Sequence, residues 1–237
     1  MAGGRALPRW LQVSEGLVRE IGAGRLAHGA RLPPEREMAA GLGIAVGTLR
    51  RALADLAAKG LVDRRQGSGN YVRRRAGVPS VYALFRLERI DGGGLPTADL
   101  RDLRRLPKPE GPPAFGPSPE AHRIRRLRRL DGVAVALEEV WLDAGRAARL
   151  RPEDLSESLY LSWRMALGIE VAAVEDRVGV APVPAWAPGG FGLPAGAPAG
   201  HVERLGRLSD GAAVEFSRTW FDPSRAAYVA RLGGEAG

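Results

Sequence analysis

Residues 32–72, LPPEREMAAGLGIAVGTLRRALADLAAKGLVDRRQGSGNYV, constrain the fold more tightly than any other part of this chain. Two helical patterns flank Gly41-Leu42-Gly43, and glycine tolerates the positive φ that a tight turn between helices requires. The first spans about residues 34–40, with Pro34 in its first turn and Glu35 where the helix dipole favours an anion. The second spans about residues 46–59. Leu49, Leu53 and Leu56 form its apolar stripe, and Gly60 stands at the C-terminal cap. Residues 61–65 and 70–73 then read as strands joined by Gln66-Gly67-Ser68-Gly69. Upstream, Trp10, Val13, Leu17 and Ile21 line one face of a helix over residues 8–22, which Gly22 and Gly24 end.

The charge of the chain sits with these elements. Residues 1–75 hold 14 Lys and Arg against 6 Asp and Glu, while residues 76–237 hold 21 of each. Localised positive charge points to a polyanionic partner, because neutralised phosphates release counterions. Helix, turn, helix and a glycine-tipped hairpin make a winged helix-turn-helix, and the expected partner is double-stranded DNA. The 46–59 helix would enter the major groove with Thr48 and Arg50 toward the base edges. Arg36 and Arg51 suit phosphate or flanking contacts. Gln66, Gly67 and Gly69 form the wing tip, where glycine lets the backbone approach the minor groove, with Arg64 and Arg65 supplying charge beside it. The competing reading is a surface helix with solvated arginines and an ordinary hairpin.

Composition narrows the rest. A chain of 237 residues allows one large domain or two modest ones, and the charge split favours two. Cysteine is absent, and His28, His122 and His201 show no ligand spacing, so no metal or cofactor is expected. No apolar run approaches the roughly 20 residues that cross a membrane, and none near the N-terminus reads as a signal segment. A cytoplasmic protein is the expectation. No Ser-His-Asp set or phosphate loop marks an enzyme.

Residues 76–80 read as a linker between a first domain at 1–75 and a second at 81–237. In the second, Val81, Ala83, Phe85 and Leu87 alternate with other neighbours as a half-buried strand would, and the prolines of residues 106–119 predict a long surface loop. A self-match is more informative. RLRRLDGVAVALEEVWLD at 126–143 and RLGRLSDGAAVEFSRTWFD at 204–222 align with one inserted residue, so that Trp141 corresponds to Trp220. Each copy reads as strand, Asp-Gly turn, strand. A Leu-rich helix over residues 155–167 lies between them. The expectation is an α+β chain whose second domain has an antiparallel sheet with approximate two-fold symmetry. Alternation puts Arg126 and Arg128 on one strand face with Ile124 and Leu130, Glu138 with Ala134, Ala136 and Val140, and Glu215 with Ser217, Thr219 and Phe221. Charges on apolar faces are costly unless paired or used. They are either internal Arg–Glu pairs or a pocket for a small anionic or polyhydroxylated molecule. Ser156 and Ser158 stand at the start of the helix, as N-caps or as part of an anion site.

The segments LPPEREMA, LGIAVGTLRRAL and GLVDRRQGSGNYV resemble the N-terminal domain of the GntR family of bacterial transcriptional regulators. Arg126-Leu-Arg128, Asp131-Gly132 with Glu138, Ser158-Leu-Tyr160, Gly192-Leu-Pro-Ala-Gly196 and Glu215-Phe-Ser217-Arg218 resemble the UTRA domain of its HutC branch. The resemblance implies a chorismate-lyase-like fold, a homodimer formed through that domain, and an effector pocket. In it Arg126, Arg128, Ser158 and Tyr160 would grip an anion, and Glu138 and Glu215 would read the remainder of the ligand. Phe221 stands where a Tyr is frequent and lacks its hydroxyl. The implied function is a repressor released from a palindromic DNA operator by a small anionic metabolite. The alternatives are a lyase-like enzyme with a DNA-binding head and an architectural DNA protein without effector. Two departures stand in the head. Pro34 replaces a capping Ser, and Ala45-Val46 replaces a Ser-Arg pair whose Arg commonly contacts DNA. A valine cannot hydrogen bond to a base, though it can touch a thymine methyl. Operator selection from random DNA should therefore return different motifs for the wild type and for Val46→Arg; identical motifs would refute the altered readout.

Overall fold

Leucine spacing builds the first unit. In the computed structural model, which describes residues 6–75, 78 and 80–231, helix α1 (Arg9–Gly22) packs on α3 (Val46–Ala58) with α2 (Glu35–Gly41) beside it. Ala76, Gly77 and Pro79 of the expected linker lie outside the described residues. Leu17, Ile21, Leu49, Leu53 and Leu56 form the core, closed by Leu61, Val62 and Val72 of the wing. The wing is the antiparallel pair β1 (Val62–Arg65) and β2 (Gly69–Val72). Gly43, at φ +60°, makes the turn between α2 and α3. None of the three N-caps, Pro8, Pro34 and Ala45, gives a side-chain hydrogen bond.

A buried carboxylate organises the same unit. Glu15 of α1, fully buried, accepts from Lys59 Nζ at 2.9 Å, from Ser80 Oγ at 2.5 Å and from the Val81 amide at 3.1 Å. Tyr82 is buried beside Phe85, whose ring lies under the Arg19 guanidinium at 5.2 Å. The expected strand through Val81, Ala83 and Phe85 is therefore absent. Residues 81–84 form a turn, and of that set Leu87 alone enters a strand. Tyr82 and Leu84 interrupt the alternation, Tyr82 is buried while Ala83 is exposed, and contacts of Val81 and Phe85 to α1 hold the segment in the first unit; the chain divides compactly into Leu7–Phe85 and Arg86–Val229.

The second unit is one six-stranded antiparallel sheet. Its strands are β4 (Pro96–Pro107), β5 (Glu120–Leu130), β6 (Val133–Asp143), β7 (Ala173–Pro182), β8 (Pro198–Arg207) and β9 (Ala213–Phe221), in the order β4-β5-β6-β9-β8-β7. That order reads as two three-stranded halves joined at β6 and β9, as the repeat predicts. Asp131 and Gly132, both at positive φ, form the two-residue turn of the β5–β6 hairpin. The β8–β9 copy has a longer loop, which absorbs the inserted residue. The terminal Asp of each copy does the same work: Asp143 accepts from the Gly145 amide and Asp222 from the Ser224 amide.

Strand β4 precedes the expected loop, where the sequence offers a strand-like apolar run without clear bounds. Leu100, Leu103 and Leu106 are spaced by three, which suits a helix better than a strand. A bulge between Leu100 and Asp102 returns both Leu100 and Leu103 to the same packed face. The expected loop after it is held from within. Phe115 is buried on Phe216, and Lys108 Nζ donates to Asp143 at 2.6 Å, to Gly116 O at 2.9 Å and to Phe115 O. The expected helix over residues 155–167 starts late. A 3-10 turn at Pro152–Asp154 precedes α4 (Leu159–Leu167), which Ser158 caps by accepting from the Leu161 amide. Leu159 and Trp163 of α4 pack on Ile124, Val140 and Leu142 of the sheet. A small pair, β3 (Leu87–Arg89) with β10 (Ala226–Tyr228), completes the unit.

Ala45→Ser supplies the missing N-cap of α3. It should raise stability by about 1 kcal/mol, read by denaturant unfolding; no gain would show that the free N–H groups are already satisfied.

Candidate functional site

Two of the head's exposed arginines meet at one carboxylate. Arg50, exposed on α3, donates through Nε to Glu35 Oε2 at 2.7 Å, and Arg64 Nη2 of the wing lies 3.5 Å from Glu35 Oε1. The Arg50 hydrogen bond holds the Glu35 carboxyl below its ordinary range, against the opposing effect of burial, with Arg64 adding to it. Glu35 thus fixes the recognition helix and the wing in register with each other, a role that its place in the first helical turn did not disclose. An open cleft of about 420 Å³ separates residues 31–35 from wing residues 64–70.

The other predicted head residues divide. Arg36, Gln66 and Gly67 are exposed and Thr48 is half-buried. Arg51 is exposed but lies over the Trp10 ring of α1 at 4.5 Å, and Arg65 over Tyr71 at 4.4 Å. Gly69, at φ +122°, faces Arg31: a Cβ there would stand 3.2 Å from Arg31 Nε. Its backbone angle, in the left-handed region, is what favours glycine there. Val46 packs half-buried against the head core.

In the second unit, strand register gathers the expected residues on one sheet face. Arg126 pairs across with Glu138, Glu138 with Thr219, and Leu142 with Glu215. Arg128, Ala136, Phe221 and Gly200 form the next row. Gly200 carries no side chain because a Cβ there would run into the Phe221 ring. Arg126 and Arg128 are 5% and 2% exposed, so both guanidinium groups are inside the protein.

Internal pairing is what the face shows. Arg126 Nη2 donates to Glu138 Oε2 at 2.5 Å, and Arg128 Nε lies 3.5 Å from Glu138 Oε1. Burial pushes the Glu138 carboxyl up, but Arg126 and Arg128 together outweigh it and hold it below its ordinary range. Segment 155–158 covers the pair with carbonyl oxygens: Arg128 Nη1 donates to Glu157 O at 2.6 Å, and Arg126 Nη1 to Ser156 O and Glu157 O at 3.4 and 3.3 Å. Ser158 is an N-cap, and Ser156 Oγ donates to Ser158 O. The hydroxyls expected to meet an anion are thus engaged locally.

Tyr160 and Glu215 form a second centre on this face. The Tyr160 hydroxyl donates to Glu215 Oε2 at 2.8 Å. Burial raises the Glu215 carboxyl, only partly countered by Arg204, Ser217 and Tyr160. Burial and the Glu215 charge raise the Tyr160 phenol well above its usual value. Arg204 went unnoticed as a site residue, yet the self-match contained it, since it stands where Arg126 stands in the other copy.

The two glutamates should respond to pH with opposite sign. A carboxyl raised in the folded state contributes stability that is full below its unfolded value and is lost as pH rises through the folded one. A lowered carboxyl contributes above its unfolded value and loses that contribution as pH falls. Glu215→Gln should therefore raise the melting temperature at neutral pH, with the gain vanishing in acid. Glu138→Gln should lower it at neutral pH and converge with the wild type in acid. Melting curves across pH read both, and equal signs would refute the assignment.

Comparison with known proteins agrees with this fold. Residues 10–72 match the family described as bacterial regulatory proteins, gntR family, and residues 97–227 match the UTRA domain. The chain is 53% identical over 229 residues to the HTH-type transcriptional regulator SmoD of Agrobacterium fabrum, covering 97% of this chain and 98% of that protein. It is 25% identical over 228 residues to the HTH-type transcriptional repressor NagR of Bacillus subtilis, covering 94% of each. The crystal structure of YydK from Bacillus subtilis shares the fold with a TM-score of 0.51 at 18% identity, over 96% of this chain and 100% of that one. The ligand-binding domain of a GntR-family regulator from Bordetella bronchiseptica does so at 0.52 and 19%, over 62% of this chain and 96% of that one. A winged head carrying a UTRA domain on one chain makes this protein a member of the GntR family of bacterial transcriptional regulators, in its HutC branch.

Proposed function

We propose that this regulator is a homodimeric repressor that leaves a palindromic operator when a small anionic metabolite binds its second domain. One observation carries the effector class. Two buried guanidinium groups stand side by side on the sheet, and their outward N–H groups are held by neutral carbonyl oxygens of residues 156 and 157. An anionic oxygen makes a hydrogen bond about twice as strong as a neutral one, so an entering phosphate or carboxylate displaces those carbonyls. Arg126, Arg128, Ser158 and Tyr160 take the anion, Glu138 and Glu215 read hydroxyls, and Phe221 packs against the ligand. Displacing the carbonyls moves the segment that leads into α4, which gives the liganded and free states different structures. Release requires only that the ligand favour one of them, by a coupling of about 1–3 kcal/mol.

At the other end, Thr48 and Arg50 read bases from the major groove, and Arg64, Arg65, Gln66, Gly67 and Gly69 follow the minor groove. Arg36 and Arg51 add phosphate contacts. Operator binding needs Arg50 to exchange Glu35 for DNA. The direction, repression, is supported by the relative NagR, which is named a repressor. Work on genomic DNA places the protein in the cytoplasm, and among the described residues no helix is long and apolar enough to cross a membrane. No catalytic step is assigned to either unit.

A thermal-shift screen of phosphorylated and carboxylated metabolites identifies the effector, since a ligand raises the melting temperature of the state it binds. Arg126→Met, combined with Glu138→Gln so that no buried carboxylate loses its partner, should keep operator binding and lose effector release. Release that persists in this variant would overturn the anion site.

A further inference from the structure

Arg204 lies on the same sheet face as Arg126, Glu138 and Glu215. Register fixes this: Glu138 and Val140 are alternate residues of β6, Val140 pairs with Ser217, Ser217 pairs with Arg204, and Arg204 pairs with Asp176. Its guanidinium is gripped on one edge only by the carboxylate. Nε donates to Asp176 Oδ1 at 2.6 Å and Nη2 to Asp176 Oδ2 at 2.7 Å, a bidentate fork with side chains 15% and 10% exposed. Arginine carries five N–H groups in a rigid plane, so the fork leaves three for the opposite side. The Glu215 and Glu138 carboxyls share its face of the sheet, and the Arg204 cation acts to lower both.

The fork is itself held from outside the large sheet. The Tyr228 hydroxyl donates to Asp176 Oδ2 at 2.6 Å. Tyr228 ends β10 and pairs in register with Leu87 of β3. The Val229 amide donates to Arg86 O at 2.8 Å, at the first residue of this unit after the linker. Arg86 also lends positive potential to Asp176.

We propose that Arg204 is a third cationic residue of the ligand site, positioned by Asp176 and Tyr228 to bind the end of the effector remote from its anionic head. This rests on the reading of Arg126 and Arg128 as the head-group site. Arg126 on β5 and Arg204 on β8 stand three strand spacings apart, about 14 Å between strand backbones, and Arg204 is two residues along β8 from Val202, which shares the row of Arg126, Glu138 and Thr219. A molecule seated between them is a few carbons long. Its head is an anion at Arg126 and Arg128, its middle carries hydroxyls at Glu138 and Glu215, and its far end presents an oxygen acceptor to Arg204. Because β10 holds Tyr228, the far end is the part of the ligand tied to β3 and the linker root.

Isothermal titration with two probes tests this. Inorganic phosphate supplies the head alone, and 6-phosphogluconate supplies a phosphate, a run of hydroxyls and a terminal carboxylate. The wild type should bind 6-phosphogluconate at least about tenfold more tightly than phosphate. Arg204→Lys keeps the charge beside Asp176 but not the planar fork. It should bring the two affinities together while leaving phosphate unchanged. Arg204→Met with Asp176→Asn, which removes both buried charges at once, should do the same. Tyr228→Phe should narrow the ratio and, with 6-phosphogluconate bound, lose amide-exchange protection at Leu87–Arg89. An unchanged ratio in both Arg204 variants overturns the proposal, as does a wild type that binds phosphate through Arg126 and Arg128 yet does not prefer 6-phosphogluconate. Phosphate binding that ignores Arg126→Met with Glu138→Gln overturns instead the head-group site.

Discussion

Pairing of β6 with β9 is the constraint on which the second unit depends. The self-match makes Glu139 the counterpart of Arg218, and these two residues are directly opposite in the register. The approximate two-fold axis therefore passes between them, with Leu137 opposite Trp220 on one side and Trp141 opposite Phe216 on the other. A slip of one residue would turn every side chain of one half to the wrong face. Buried aromatics on one face and buried charges on the other make such a slip costly. On the aromatic face, Arg125 pairs with Glu139 and Arg218 with Glu203. On the face beneath α4, the same register gathers Arg126, Glu138, Arg204 and Glu215.

The proposed function asks that face to be both stable and responsive. The arginine pair is held from within the protein, by Glu138 and by carbonyl oxygens of residues 156 and 157. Its outer partners are neutral and belong to a short segment between a 3-10 turn and α4. Removing one member of a buried ion pair is expensive, whereas replacing a carbonyl by an anion strengthens the bond. Internal pairing and ligand binding, which compete as explanations of the sequence pattern, would under the proposed function be two states of the same groups. On the surface of the head, Glu35 likewise pairs with Arg50 and Arg64.

Much of this was legible in the sequence because local rules suffice for it. Leucine period, the Gly41-Leu42-Gly43 turn and the glycine-rich wing located every element of the head. The duplicated R-L-x-R-L and W-x-D motifs disclosed both central hairpins and the approximate two-fold symmetry of the sheet. Where reasoning failed, a long-range contact had overridden a local pattern. The alternation at Val81–Phe85 answered to Glu15 and Arg19 of α1, more than 60 residues earlier in the chain. The triplet leucines of β4 were disguised by a bulge that only strand pairing reveals. Arg204 was visible as the counterpart of Arg126, but its partner Asp176 carries no motif.

The sequence by itself determined the two kinds of module, the duplication and the residue types available to each face, since periodicity and turn chemistry are properties of neighbours in the chain. Tertiary structure decided what those residues touch. Glu35 joins Arg50 to Arg64, segment 155–158 turns its carbonyls toward two arginines, and Tyr228 reaches Asp176 from the strand beside the linker root. Such contacts bring together residues tens of positions apart, and no local spacing encodes a distance that the fold sets.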